Sequence, residues 1–276
     1  MDSQIGLFNK LKVNRILNQG AYLDSDFGEI LLPKKFVSSE LKIDDEIDVF
    51  IYNDSEDRLI ATTEEPYAER DQFACLEVKD VVPFGAFLDW GLSKDLLLPK
   101  NQMHQPLYSG DKCVVRVCID EESNRLYATS KITKFLEAEC TEFESGDEVE
   151  VLVYEFTDLG ASVIVDGDFR GVVHKSDMIK DIQVGDMLSL YVKSFTEDSR
   201  MNLAFRKPGF KGVLDSKDQI IDVLINGDGF LELHDKSSPE AIREKLQMSK
   251  KTYKEAIGRL YKDGRIKILK DRIQLK

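Results

Sequence analysis

The chain has 276 residues and a mass of 31.5 kDa, with 42% hydrophobic and 32% charged residues, which suits about two to four folded domains rather than one core. No run of eighteen apolar residues occurs, and the opening "MDSQIGLFNKLKV" lacks the apolar core and cleavage pattern of a signal peptide, so a cytoplasmic location without membrane contact is expected. The formal net charge of −13 is uneven: residues 1–206 carry 22 Lys and Arg against 40 Asp and Glu, whereas residues 207–276 carry 16 against 11. Such an acidic body repels phosphate backbones at long range, so any nucleic-acid contact must rely on local sites and the basic end.

In chain order, "NQGAYLD" around Gly20 returns as "VPFGAFLDW" around Gly85 and "DLGASVIVD" around Gly160. Each glycine is followed thirteen or fourteen residues later by Pro33, Pro99 or His174, and each of these twelve residues later by Asp45, Asp111 or Asp186. Each copy then ends in "DRLIATT", "NRLYATS" or "SRMNLAF", with Arg58, Arg125 and Arg200 before a last strand. Units of this length, with about five short strands and Gly/Asp turns, predict small closed barrels that leave no exposed sheet edge. The acidic stretches "DSDFGE" and "EESNR" fall where hairpin turns are needed and lack the ligand series of a calcium loop.

Phe84 and Phe87 lie three apart, which on a regular strand places them on opposite sides. A bulge at Gly85 is therefore expected if the two rings share a surface. A lone F-x-x-F is more often one core ring and one partly exposed ring; the repeat shifts the balance towards a shared surface.

The three units resemble the S1-type RNA-binding domain, an OB-type barrel, most clearly in "FGAFLDW" through "SGDKCVVRVCIDEESNRLYATSK" and in "LGASVIVDGDFRGVVHKSDM" through "VGDMLSLYV". The resemblance implies an RNA-facing surface made of two aromatic positions around the glycine, a histidine after the next strand, and an acid and arginine before the last strand. The second copy supplies Phe84, Phe87 and Arg125, with Pro99 at the histidine position. The first supplies Tyr22, Asp54 and Arg58, with Gln19 and Pro33 at the other positions. The third keeps His174 and Arg200 but has Leu159 and Ser162 in place of rings. No copy holds the complete set, so shared binding is expected.

After Lys211 the period changes. "DSKDQIIDVLI" predicts a first helix, and "SSPEAIREKL" a second, capped by Ser238 with Pro239 at its first position. "SKKTYKEAIGRLYKDG" predicts a third, with Tyr253, Ala256, Ile257 and Leu260 on its inner side and Gly264 at its C-terminus. Two short strands, "RIKIL" and "RIQLK", joined by a Lys270–Asp271 turn, complete a winged helix. Its basic face comprises Lys250, Lys251, Lys254, Lys262, Lys267, Lys270 and Arg272. Such faces are often merely solvated.

Three S1-like barrels followed by "DKSSPEAI", "MSK" and "AIGRLYKDG" resemble the conserved virulence factor B family of bacterial RNA-binding regulators. The fold class expected is mostly β with a small α+β C-terminal domain. Barrels are expected over residues 1–65, 70–135 and 145–207, and a winged helix over 211–276. The resemblance implies a non-enzymatic, monomeric binder of single-stranded RNA that regulates gene expression post-transcriptionally, with duplex contact as a further option for the winged helix. The competing assignment is a DNA-binding transcription regulator whose barrels contact protein.

No phosphate loop, H-E-x-x-H, G-x-S-x-G or zinc spacing occurs, and His104, His174 and His234 lie in separate units. Cys75, Cys113, Cys118 and Cys140 contain no C-x-x-C pair and read as reduced thiols. No metal and no cofactor is expected. Charged text at 64–72, 137–148 and 206–212 predicts linkers between independently moving modules.

Overall fold

The computed structural model describes residues 4–137, 142–178, 181–196, 200–208, 214–227, 229–246 and 248–276. Cys140, the middle of the 137–148 stretch and the end of the 206–212 connection lie outside the described residues. Two compact units result, Met1–Lys207 and Pro208–Lys276.

In the first unit, β1 (Phe8–Leu17), β2 (Gly20–Ser25), β3 (Gly28–Pro33), β4 (Glu46–Asn53) and β5 (Leu59–Thr62) close into a barrel in the order β1-β2-β3-β5-β4. Next come β6 (Phe73–Val82), β7 (Gly85–Asp89), β8 (Leu96–Pro99), β9 (Lys112–Asp120) and β10 (Arg125–Thr129), ordered β10-β9-β6-β7-β8. Then β11 (Glu148–Phe156), β12 (Gly160–Val165), β13 (Phe169–His174), β14 (Met187–Phe195) and β15 (Met201–Ala204) close as the first set does.

The expectation of three closed barrels is therefore corrected to two barrels closed by a ladder and one five-stranded sheet whose edge strands β8 and β10 lie side by side without one. Closure in the other copies uses a parallel ladder, Leu31 with Ile60 and Gly171–Val173 with Met201–Leu203. In the second copy β8 has four residues where β3 and β13 have six. Before β8, the Trp90 indole N–H donates to the Lys94 carbonyl at 2.6 Å across an irregular loop.

The expected bulge at Gly85 is also corrected. The bulge lies on the opposing strand, where the register shifts between Val78 and Asp80, and likewise between Val13 and Arg15 and between Val153 and Glu155. Gly85 itself pairs with Pro99. A Cβ there would meet the Leu98 carbonyl oxygen at 2.4 Å, and one on Gly20 or Gly160 would meet the Leu32 or Val173 carbonyl at 2.0 Å. Glycine is required because two backbones approach closely. The N–H of the residue after each partner, Lys34, Lys100 and Lys175, donates to the carbonyl of Gln19, Phe84 and Leu159. Pro33 and Pro99 thus occupy non-hydrogen-bonded pairs, where a missing N–H leaves no gap in the ladder.

The repeated aspartates close the turns before β4, β9 and β14. Asp45, Asp111 and Asp186 accept from the N–H of Lys42, Tyr108 and Gln183 at 2.8, 2.7 and 2.8 Å. Their carbonyls accept from Val13, Val78 and Val153, the residues that precede each bulge. The twelve-residue landmark is a turn lock, not a binding site.

The barrels are not separated by loose linkers. Trp90 packs its ring edge-on against Phe50 and Tyr52 of the first barrel, at 5.8 and 6.4 Å between centroids. Within 64–72, Ala68 is buried, and Arg70 donates from its guanidinium and its backbone N–H to the Ile5 and Gly6 carbonyls. The second and third barrels share a core of Val114, Ile132, Leu136, Leu152 and Ile164. Barrel side chains and Ala68, rather than the charged text as a whole, supply the apolar contact that joins the barrels.

In the second unit α1 (Leu214–Asn226), α2 (Pro239–Leu246) and α3 (Lys250–Lys262) pack on a three-stranded sheet ordered β16-β18-β17, from β16 (Phe230–Leu231), β17 (Ile266–Ile268) and β18 (Ile273–Leu275). The two-residue β16 was not legible in the sequence. Tyr253, Ala256, Ile257 and Leu260 are buried as the periodicity predicts. Ser238 Oγ accepts from the Ala241 N–H and Ser249 Oγ from the Thr252 N–H, both at 3.1 Å. After α3 the Gly264 N–H donates to Tyr261 and the Arg265 N–H to Leu260, a Schellman ending that uses the φ of 70° at Gly264.

Gly85→Ala is expected to destabilise the first unit by about 3 kcal/mol. Gly28→Ala, at a φ of 88° with nothing within 4 Å of its Cβ, should lose only about 1 kcal/mol from backbone strain. Urea unfolding of the two variants checks this; equal losses would remove close approach as the cause.

Candidate nucleic-acid interface

Strand pairing lays the repeated positions out on one face of each copy. In the first, Tyr22, Leu31 and Ile60 form one row across β2, β3 and β5. Pro33 and Arg58 are two residues away along the chain, hence on the same side. The Tyr22 ring lies 4.3 Å beneath the Arg15 guanidinium, and its hydroxyl accepts from the Gln19 amide at 2.8 Å. Arg58 holds Asp54 with two bonds of 2.9 and 2.7 Å.

In the second copy Phe87 pairs with Leu97. Both line a cleft of about 390 Å³ with Pro99, Arg125 and Tyr127, along the unjoined β8 and β10 edges. Phe84 occupies the hairpin turn between β6 and β7, where strand alternation does not constrain it. Its ring is 60% exposed and meets Phe87 edge-on at 6.2 Å. The first barrel supplies Tyr52, Asn53 and Asp57 to the same cleft. Asp57 pairs with Arg125 at 2.8 Å, and Lys94 donates to the Asp54 carbonyl at 2.6 Å.

In the third copy the row is Ser162, Val172 and Asn202. His174 Nε2 lies 2.9 Å from Asn202 Oδ1, and the Asn202 amide donates to Ser194 at 3.0 Å. The Arg200 backbone N–H donates to Thr196 Oγ1 at 3.0 Å, with its side chain half-buried. Leu159 is exposed at the hairpin tip, in the place of Phe84.

In the winged helix Lys251, Lys254, Lys262, Lys267 and Lys270 are exposed and Lys250 is half-buried. Arg272 is engaged, pairing with Asp271 at 2.8 Å with its guanidinium 4.8 Å over Phe230. Arg259 and Arg265 are exposed too, and enlarge the basic set beyond the residues chosen from sequence.

Residues 5–64 and 72–131 match the S1 domain, and residues 218–275 match the CvfB-like winged helix domain. The chain is 29% identical over 257 residues to conserved virulence factor B of Staphylococcus aureus strain N315, covering 87% of this chain and 85% of that protein. The chain is thus similar to the conserved virulence factor B family along most of its length, and most specifically in its winged helix. Another relative is the uncharacterized protein YitL of Bacillus subtilis strain 168, 29% identical over 265 residues, or 93% of this chain and 88% of that one. A crystal structure of a multidomain protein with nucleic acid binding domains from Streptococcus pneumoniae TIGR4 is similar over 99% of this chain and 98% of its own, at 24% identity and a TM-score of 0.47.

Sequence reasoning missed Arg15, Asp57, Lys94 and Trp90. Trp90 was available as the single tryptophan, at the end of "VPFGAFLDW". Asp57 and Lys94 were not, because each acts on the neighbouring barrel. The described residues include no group of three or more His, Cys, Asp or Glu placed to hold a metal ion. The Cys113 thiol is pushed up to about 12, by burial first and then by Cys75 and Asp111.

Desolvation alone would raise the Asp54 carboxyl, but side-chain and backbone hydrogen bonds from Arg58 and the Glu56 N–H outweigh it and hold it below the ordinary carboxylate value. A depressed folded value stabilises the fold at neutral pH, and this contribution is lost as pH falls below about 4. Asp54→Asn should therefore be less stable than the parent at pH 7, with the gap narrowing near pH 2. Urea midpoints at both values check this; a constant gap would mean the charge is not involved.

Proposed function

We propose that this protein binds single-stranded RNA through the faces of its S1-type barrels together with its basic winged helix. On this proposal it acts as a single cytoplasmic, non-enzymatic chain that regulates gene expression after transcription. The observation that carries the proposal is the Phe84–Phe87 ring pair at the lip of the cleft lined by Arg125. Aromatic rings stack on any base and are worth about 1–3 kcal/mol each, while a guanidinium beside them suits a phosphate. The two S1 domain matches point the same way. Among the described residues, no helix is long and apolar enough to cross a membrane.

The acidic body explains why the tail belongs to the binding surface. Exposed lysines on α3 and the wing supply counterion release that the barrels lack. Their position on the outer face of α3 also favours the second reading, a regulator that docks this helix on duplex DNA. Filter binding with single-stranded RNA and duplex DNA in competition separates the two. Preference for the duplex would overturn the RNA proposal.

Phe84→Ala/Phe87→Ala should weaken single-stranded RNA binding at least about tenfold, with a melting temperature within a few degrees of the parent. Unchanged affinity in a folded variant would remove the ring pair from the site. Lys251→Glu/Lys254→Glu should flatten the slope of log affinity against log salt by about 2 or more; an unchanged slope would assign these lysines to solvent.

A further inference from the structure

A second cavity, of about 320 Å³, lies where the second barrel meets the third. None of the RNA-binding residues expected from the sequence lines it. Its walls include His104, Ser130 and Lys131 from the second barrel and Tyr154, Glu155 and Phe156 from β11, with apolar side chains of the shared core completing the lining. The size is at the lower end for small-molecule sites, suited to one planar ring system.

Its chemistry resembles that of the ring-pair cleft. Phe156 is 47% exposed at the end of β11. Tyr154 is the extra residue of the β11 bulge, the place held by Asn14 and Lys79 in the other copies. The bulge thus gives the third barrel the aromatic side chain that its Leu159 and Ser162 lack. His104 Nε2 lies 3.2 Å from Glu155 Oε1, giving the cavity a polar edge with donor and acceptor. Lys131 adds a cation at the wall.

Its position matters as much. His104 and Gln105 also border a shallow groove with Val81, Pro83, Gly85 and Lys100, which flank Phe84 in the sequence and across the ladder. The Lys100 N–H donates to the Phe84 carbonyl at 2.8 Å. On the far side, Glu155 pairs with Ser162, in the row that leads to Asn202 and His174. The cavity therefore lies between the ring pair of one barrel and the polar face of the next.

We propose that this cavity is a nucleobase subsite, stacking one base of a single strand against Tyr154 and Phe156 while His104 and Glu155 bond its edge. The strand would pass from Phe84 and Phe87 to His174. This assignment rests on the RNA-binding function proposed above and adds a site to it.

The test uses the full chain, mixed-sequence oligoribonucleotides of about 4 and about 12 nucleotides, and His104→Ala/Phe156→Ala, two side chains exposed enough to leave folding intact. The parent should bind the longer strand more tightly. The variant should lose about tenfold on the longer strand, keep its affinity for the shorter, and melt with the parent. As a measurement independent of the variant's folding, strands carrying 4-thiouridine should photocrosslink to Tyr154, Phe156 or His104 of the parent.

Parent-like affinity of the variant for both lengths would overturn the subsite and leave the ring-pair site standing. So would crosslinks confined to other residues, which is also the outcome if the cavity serves a peptide. No binding of either strand by the parent would overturn the functional proposal and the subsite together.

Discussion

The structure of each barrel depends on one backbone contact, the approach of the glycine at the start of its second strand to a carbonyl on the third. With no Cβ at Gly20, Gly85 or Gly160, that carbonyl comes as near as 2.0 to 2.4 Å to where a side chain would begin. The contact fixes the register of the hairpin, places Pro33, Pro99 or His174 opposite the glycine, and sets the preceding residue on the turn. Phe84 can meet Phe87 only because it stands on that turn, outside the alternation that governs strand side chains. The aromatic site is thus a by-product of a steric rule shared by all three copies.

The second constraint is the absence of a closing ladder in the middle copy. An open edge exposes unpaired backbone groups and invites pairing with other chains. Here the first barrel's Tyr52, Asn53 and Asp57 stand beside it, and Trp90 fixes the two barrels through aromatic contact. The two edge strands still run side by side, so the cleft lies along a seam without a ladder, with the first barrel packed beside it.

Much of this was legible in the sequence. The repeat spacing located the strands, the aspartate turns and the final arginines, and the 3.6-residue pattern of Tyr253, Ala256, Ile257 and Leu260 located α3. What was not legible involves partners distant in sequence. The bulge at Lys79 rather than Gly85 follows from pairing between strands, which the F-x-x-F spacing does not encode. The Arg125–Asp57 pair and the Lys94–Asp54 bond join different copies. Charged text at 64–72 read as a linker because its few apolar residues gave no period, although one of them, Ala68, is buried and Arg70 bonds back to the first barrel. Tyr154 escaped notice because only a bulge turns it to the face that Ser162 occupies.

The Arg125–Asp57 pair has a consequence for binding strength. Asp57 stands 2.8 Å from the Arg125 guanidinium, in the place that a phosphate oxygen would take on the function proposed above. A strand that took this arginine would exchange one anion for another, and the released carboxylate would keep Lys94, 3.4 Å away, as its cation. The broken pair would offset part of the new one, so Arg125 would add less to affinity than an uncommitted lysine of the basic tail.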